Sequence, residues 1–196
     1  MRRRLTERYT LALVYAAEVH TDQTRKGEAE IPYISHLLAA SSLVIEAGGD
    51  EDEAIAALLH DAGEDQGGET RLADIDKRFG ARVAAIVREC SDSLTDDSDA
   101  KADWLVRKQR YIAHLQTATP SALLVTAGDK THNSGALVSD IQLHGVDYLN
   151  NFTATPMQTL WYFSQVLQTL IDREVNPRLV AILSENVAHL RELIEQ

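Results

Sequence analysis

No stretch of this 196-residue chain alternates apolar and polar residues as a half-buried strand must, whereas apolar residues recur three and four positions apart through most of it. That period commits the chain to an all-α fold, helices packed on helices. Leu11, Val14, Tyr15, Ala16 and Val19 predict a helix over Leu5 to His20, and a polar, glycine-containing loop follows to Pro32. Leu37, Leu38, Leu43, Val44 and Ile45 place a second helix from Tyr33 to a left-handed stop at Gly48-Gly49. Asp50, Glu51, Asp52 and Glu53 put acids at the positive end of a third helix, carried by Ile55, Leu58 and Leu59 to His60 and broken by Gly63, Gly67 and Gly68. Shorter helices are expected from Thr70 to Phe79, around Val83, Ile86 and Val87, and from Trp104 to Leu115. Ser91 to Asp103, rich in Asp and Ser, reads as a loop. Pro120, Pro156 and Pro177 each suit the first turn of a helix, giving one that runs past Asp129 and Asn133, one to Arg173 and one to the carboxyl terminus, with a connection over Gly145 to Thr155. Leu160, Trp161, Phe163, Val166, Leu167 and Leu170 form a wide apolar stripe expected in the core, and they leave self-association open.

Nothing in the chain reads as a linker, so one domain over residues 1–196 is expected. No apolar run approaches the roughly 20 residues of a membrane helix, and the basic start Met1 to Leu5 leads into an amphipathic segment instead of a signal core. The expectation is a soluble cytoplasmic protein with no membrane partner. A net charge of −11 argues against binding nucleic acid, which needs a basic surface to displace counterions. An anionic small molecule is a different matter, because a metal ion and a few local cations can invert the potential inside one cleft. Cys90, the single cysteine, lies beside Ile86 and Val87 and reads as buried filler.

The residues with the most chemistry are His60-Asp61 at the end of an apolar run, His36 upstream and Asp129 downstream. Two imidazoles and two carboxylates can hold one divalent ion and leave positions for water, as a hydrolytic metal site requires. Neighbours on a helix point about 100° apart, so His60 and Asp61 would have to meet an ion at a helix end, joined there by groups from two other helices. Mixed nitrogen and oxygen donors favour a six-coordinate ion such as Mn2+ over thiolate-bound zinc, and leave other divalent ions open. Glu64 and Asp65, in the glycine-containing turn that follows, are placed to orient an attacking water or accept its proton. Asn133, four residues after Asp129, faces the same cleft, while His132 points about 60° away and reads as supporting or structural.

With those residues in view, the chain resembles the HD-type metal-dependent phosphohydrolases, and more narrowly the small alarmone hydrolases and the hydrolase domain of the bifunctional Rel/SpoT enzymes. The matching words are Ala17 to His20 with Gln23, Arg25, Lys26 and Gly27; Pro32-Tyr33-Ile34-Ser35-His36; Ala56 to Asp61 with Glu64-Asp65; Phe79-Gly80 with Val83 and Val87; and Asp129-Lys130 with Asn133. They run in order over about residues 10–140, leaving a helical extension at 156–196. The resemblance implies a compact helical HD-domain bundle in which His36, His60, Asp61 and Asp129 bind manganese and Glu64 and Asp65 act on the nucleophilic water. It also implies that Arg25, Lys26 and Asn133 contact a nucleotide, and that the reaction removes the 3′-pyrophosphate from (p)ppGpp. Two rivals remain at this point: an HD phosphohydrolase acting on another nucleotide, such as a 5′-mononucleotide or the 2′-phosphate of NADPH, and a non-catalytic nucleotide-binding HD domain.

Two departures bear on those expectations. Ala127-Gly128 stands where relatives carry Leu-Ala, admitting either close packing or an altered ligand approach, although glycine inside a helix costs about 1 kcal/mol relative to alanine. After Ser91-Asp92 the acidic stretch Thr95 to Asp99 replaces a Thr-Lys-like word, so recognition of purine or sugar can differ.

Overall fold

The helical period is realised throughout. A computed structural model describes residues 4–27, 30–94 and 102–196, and these form ten α-helices, a 3-10 segment and no strand; Thr24 and Pro32 make one isolated antiparallel bridge. The acidic stretch Thr95 to Asp99 and the basic residues Met1 to Arg3 lie outside the described residues. Helix α1 spans Glu7–Val19, α2 Ile34–Glu46 and α3 Glu51–Leu59, with the one-turn α4 at Ala62–Asp65. Then come α5 (Gly68–Phe79), α6 (Ala81–Cys90), α7 (Trp104–Leu115), α8 (Pro120–His144), α9 (Pro156–Asp172) and α10 (Pro177–Ile194).

Local chemistry sets most of these boundaries. Asp50 accepts the Glu53 amide at 3.0 Å while Glu53 accepts the Asp50 amide at 2.7 Å, a reciprocal cap that starts α3 where the acidic run predicted. Each of the three prolines sits in the first turn of α8, α9 or α10, where a missing N–H has no partner to lose. Three expectations need correction. Glu64 and Asp65 lie on α4, a helical turn that Gly63 continues, instead of an open turn. Helix α5 begins at Gly68, before Thr70, because Gly67 takes φ +120° and turns the chain into the helix. The connection over Gly145 to Thr155 contains a 3-10 helix at Val146–Asn151, which follows α8 directly because Gly145 adopts φ +83°.

Helix α8 is the axis of the fold, packed by α2, α3, α6, α9 and α10. Its residues Val125 to Asp129 are all buried, so it has no solvent face in that stretch. Within the C-terminal stripe, Leu160, Phe163, Val166 and Leu170 are buried and Trp161 and Leu167 pack against them, as expected of core. None of the described helices is long and apolar enough to cross a membrane.

Gly128 decides how closely α2 and α8 approach. A methyl group there would lie 2.9 Å from Val44 Cγ2 and 3.1 Å from the Ala40 carbonyl, inside ordinary contact. The Ala127-Gly128 departure therefore serves close packing, and it brings His36 of α2 alongside Asp129 of α8. Gly128→Ala gains helix propensity but meets backbone that cannot yield, so the expected result is a net loss of about 1–3 kcal/mol in denaturant unfolding, partly recovered in Val44→Ala/Gly128→Ala.

Candidate metal centre

Two helices, α2 with His36 and α8 with Asp129, and the junction between α3 and α4 with His60 and Asp61 bring four candidate donors together. His36 Nε2 lies 3.3 Å from His60 Nε2, 3.4 Å from Asp61 Oδ2 and 3.3 Å from Asp129 Oδ1. His60 Nε2 lies 3.0 Å from Asp61 Oδ2 and 3.6 Å from Asp129 Oδ1. Donors held roughly 2.1 Å from a common ion are separated by about 3.0–3.4 Å along the edges of an octahedron or tetrahedron. The spacings fit a single cation. His36, His60 and Asp129 satisfy this most tightly, with ligand atoms all within 4.8 Å of one another, and Asp61 adjoins both imidazoles.

The hydrogen bonds behind the donors point the same way. His60 donates Nδ1–H to the Ala57 carbonyl at 2.9 Å, which leaves the Nε2 lone pair facing the cluster. His36 Nδ1 lies 2.8 Å from His132 Nδ1, so for Nε2 to face the cluster as a donor, His36 must give its Nδ1 proton to a neutral His132. Burial, with His36 and Arg25 nearby, pushes the His132 pKa down to about 4 and keeps it neutral. Tyr33 donates to Asp61 Oδ2 at 2.7 Å. Burial opposes charge on His60, but Asp61 and Asp129 outweigh it and raise its pKa well above the usual value, a demand for positive charge that a cation would meet. Lys130 pairs with the other oxygen of Asp129 at 2.5 Å. His132→Ala, removing the partner of His36 Nδ1, is expected to weaken metal affinity 10–100-fold in a chelator competition.

Two of the four, Asp61 and Asp129, form part of the wall of a cavity of about 1030 Å³. Each residue expected to contact substrate lines it: Arg25, Lys26 and Asn133, with Glu64 and Asp65 on the side of α4. Arg25 donates to Asn133 Oδ1 at 2.9 Å, and Asn133 donates to Asp129 Oδ1 at 2.5 Å, so the cationic loop and the donor cluster are linked through one amide. Among the described residues the lining carries five cationic and seven acidic side chains. A divalent ion would bring that balance to neutrality, as an anionic substrate requires.

Several participants escaped the sequence reading. Asp92, almost fully buried, holds Arg107 at 2.5 Å and Lys108 at 2.6 Å, and its backbone amide donates to Glu64 Oε2 at 3.1 Å. Burial and the Asp92 carboxylate raise the Glu64 pKa to about 7, against the pull of Lys108. Gln23 donates to Asp65 Oδ2 at 2.8 Å. His144 is exposed and lines the cavity. Burial pushes the Cys90 thiol up to about 12, consistent with inert filler.

Comparison with known proteins places this geometry. The HD domain family model matches residues 12–142. Over 121 residues the chain is 36% identical to the guanosine-3′,5′-bis(diphosphate) 3′-pyrophosphohydrolase MESH1 of Xenopus tropicalis, covering 61% of this chain and 63% of the relative. It is 33% identical over 138 residues to the bifunctional (p)ppGpp synthase/hydrolase SpoT of Escherichia coli, covering 68% of this chain and 18% of that one. The match thus spans under two thirds of the curated relatives' length. A solved structure, described as a metazoan ortholog of SpoT that hydrolyzes ppGpp, superposes with a TM-score of 0.73 at 29% identity, covering 95% of this chain and 97% of the other.

Proposed function

The chain belongs to the HD domain family, and from that premise we propose that it is a divalent-metal-dependent phosphohydrolase that removes the 3′-pyrophosphate from (p)ppGpp, giving GDP or GTP and pyrophosphate. The observation that carries the reading is the convergence of His36, His60, Asp61 and Asp129, whose two carboxylates line one cavity together with Glu64, Asp65, Arg25 and Lys26. The relatives and the solved structure that act on (p)ppGpp support the choice of substrate.

His36, His60, Asp61 and Asp129 would hold the cation, with Mn2+ favoured by the mixed nitrogen and oxygen donors. When bound, it supplies Lewis-acid chemistry, acidifying water and offsetting phosphoryl charge. Glu64 and Asp65 orient the attacking water and accept its proton. The water oxygen bonds to the phosphorus carried by the ribose 3′ oxygen, the bond between them breaks, and the 3′ oxygen takes up a proton as pyrophosphate leaves. Arg25 and Lys26 offset the phosphate charge, and Asn133 fixes the Arg25 side chain while sharing Asp129 with the donor cluster.

A panel assay with Mn2+ tests this directly. Guanosine tetraphosphate should release pyrophosphate and GDP, while a 5′-mononucleotide and NADPH release little phosphate. Turnover of one of those instead would move the chain to another nucleotide substrate. Binding of nucleotide without any turnover would make it a non-catalytic HD domain.

A further inference from the structure

Arg25 and Lys26 sit on a loop that two backbone bonds close across itself among the described residues: the Arg25 amide to the Ile31 carbonyl at 2.8 Å and the Tyr33 amide to the Gln23 carbonyl at 2.9 Å. Its other anchors come from α8 and the 3-10 segment after it. Tyr148 donates its hydroxyl to the Lys26 carbonyl at 2.9 Å. Gly27, at φ +115°, is so close beneath Tyr148 that a methyl group there would lie 2.5 Å from the phenol oxygen and 3.2 Å from the ring. The Lys26 ammonium lies over the Phe152 ring, 5.2 Å from its centre, and His144 stacks on Tyr148 at 5.6 Å. Leu149, buried, fixes the segment to the body of the protein.

Resting on the function proposed above, we infer that Tyr148 is a positioning residue, a clasp on the Lys26-Gly27 peptide that holds Arg25 and Lys26 in the geometry that meets substrate phosphate. It touches the backbone of the cationic loop and none of the four candidate metal donors. Its loss should therefore weaken substrate capture and leave the chemical step alone.

Tyr148→Phe removes the hydroxyl, with its bond to the Lys26 carbonyl and its interaction with Asp140, and keeps the ring. The expected result is a KM for guanosine tetraphosphate raised about 3–10-fold, the effect of one net hydrogen bond, with kcat within about twofold of the parent. Gly27→Ala, which displaces the ring, should give the same split. In an Arg25→Ala/Lys26→Ala background, Tyr148→Phe should change KM less than about twofold, because the side chains it positions are gone. A readout independent of turnover is amide hydrogen exchange at Arg25, bonded to Ile31, which should quicken at least about threefold in Tyr148→Phe while the thermal midpoint holds. An unchanged KM in Tyr148→Phe overturns the clasp, as does an equal KM rise in the double-alanine background. If no nucleotide in the panel is hydrolysed, the proposed function fails and exchange alone decides: faster exchange at Arg25 supports the clasp, and unchanged exchange overturns it.

Discussion

Asp61→Ala is expected to emerge from purification without stoichiometric metal and to turn over guanosine tetraphosphate at least about 10³-fold more slowly than the parent, with no recovery on adding Mn2+. The size follows from what is removed. A cation's contribution to phosphoryl charge and water acidity amounts to several kcal/mol, and each 1.36 kcal/mol is a factor of ten in rate. Asp61 is the informative candidate ligand to remove because it is the most accessible of the four, its side chain 21% exposed, against 6% for Asp129. Asp129→Ala would also strand Lys130, whose ammonium is buried against that carboxylate, so lost activity there would be mixed with a folding penalty of about 3–5 kcal/mol. The parent treated with a chelator should lose activity and regain it with Mn2+. Metal content by elemental analysis, read beside kcat/KM, separates the outcomes. A variant with full metal and full turnover would remove Asp61 from the ligand set.

That experiment concerns residues legible from sequence, and the reason they were legible is physical. Helix period, proline at first turns and the acidic run Asp50 to Glu53 are local signals, and the helices they predicted start and stop within a few residues of the observed ones. The candidate donors were legible because ligand chemistry limits the residue types, so His36, His60, Asp61 and Asp129 stood out beside the apolar residues next to them. What stayed hidden depends on long-range closure. Nothing local says that His132 turns its Nδ1 to His36 across two helices, since a helical-wheel angle gives direction and not partner. Asp92 read as one more acid in an acidic loop, yet it is the buried counter-charge for Arg107 and Lys108 and braces Glu64 through its backbone. The 3-10 segment lacked a period long enough to register, and Tyr148 gained its meaning only once Gly27, far away in sequence, lay beneath it. Gly128 was legible as a departure, but only the α2–α8 contact chose between its two readings.

Glu64→Gln should uncouple activity from stability. The amide keeps the size of the side chain and can still accept the Asp92 amide hydrogen bond, but it cannot take a proton from water. Loss of a positioned general base is expected to lower kcat about 10²–10⁴-fold with metal content unchanged. The pH dependence carries a second signature. Burial first, and then the Asp92 carboxylate, raise the Glu64 pKa to about 7, and a bound cation would pull it lower. As a base Glu64 must be ionised, so kcat/KM of the parent should rise with pH along an acid limb whose midpoint lies at or below about 7, and Glu64→Gln should lack that limb. Folding runs the other way. Between the ordinary carboxyl pKa of 4.5 and about 7 the folded protein holds a proton that the unfolded chain has shed, so stability falls as pH rises through that window. Above it the ionised carboxylate remains a standing cost in the metal-free protein. Glu64→Gln removes the charge, so the chelated variant should unfold at a higher temperature than the chelated parent at pH 8 and show no such gain at pH 4. A variant less stable than the parent at pH 8 would mean that Arg107 and Lys108 more than offset the carboxylate's burial, and that Glu64 braces the fold instead of being strained by it.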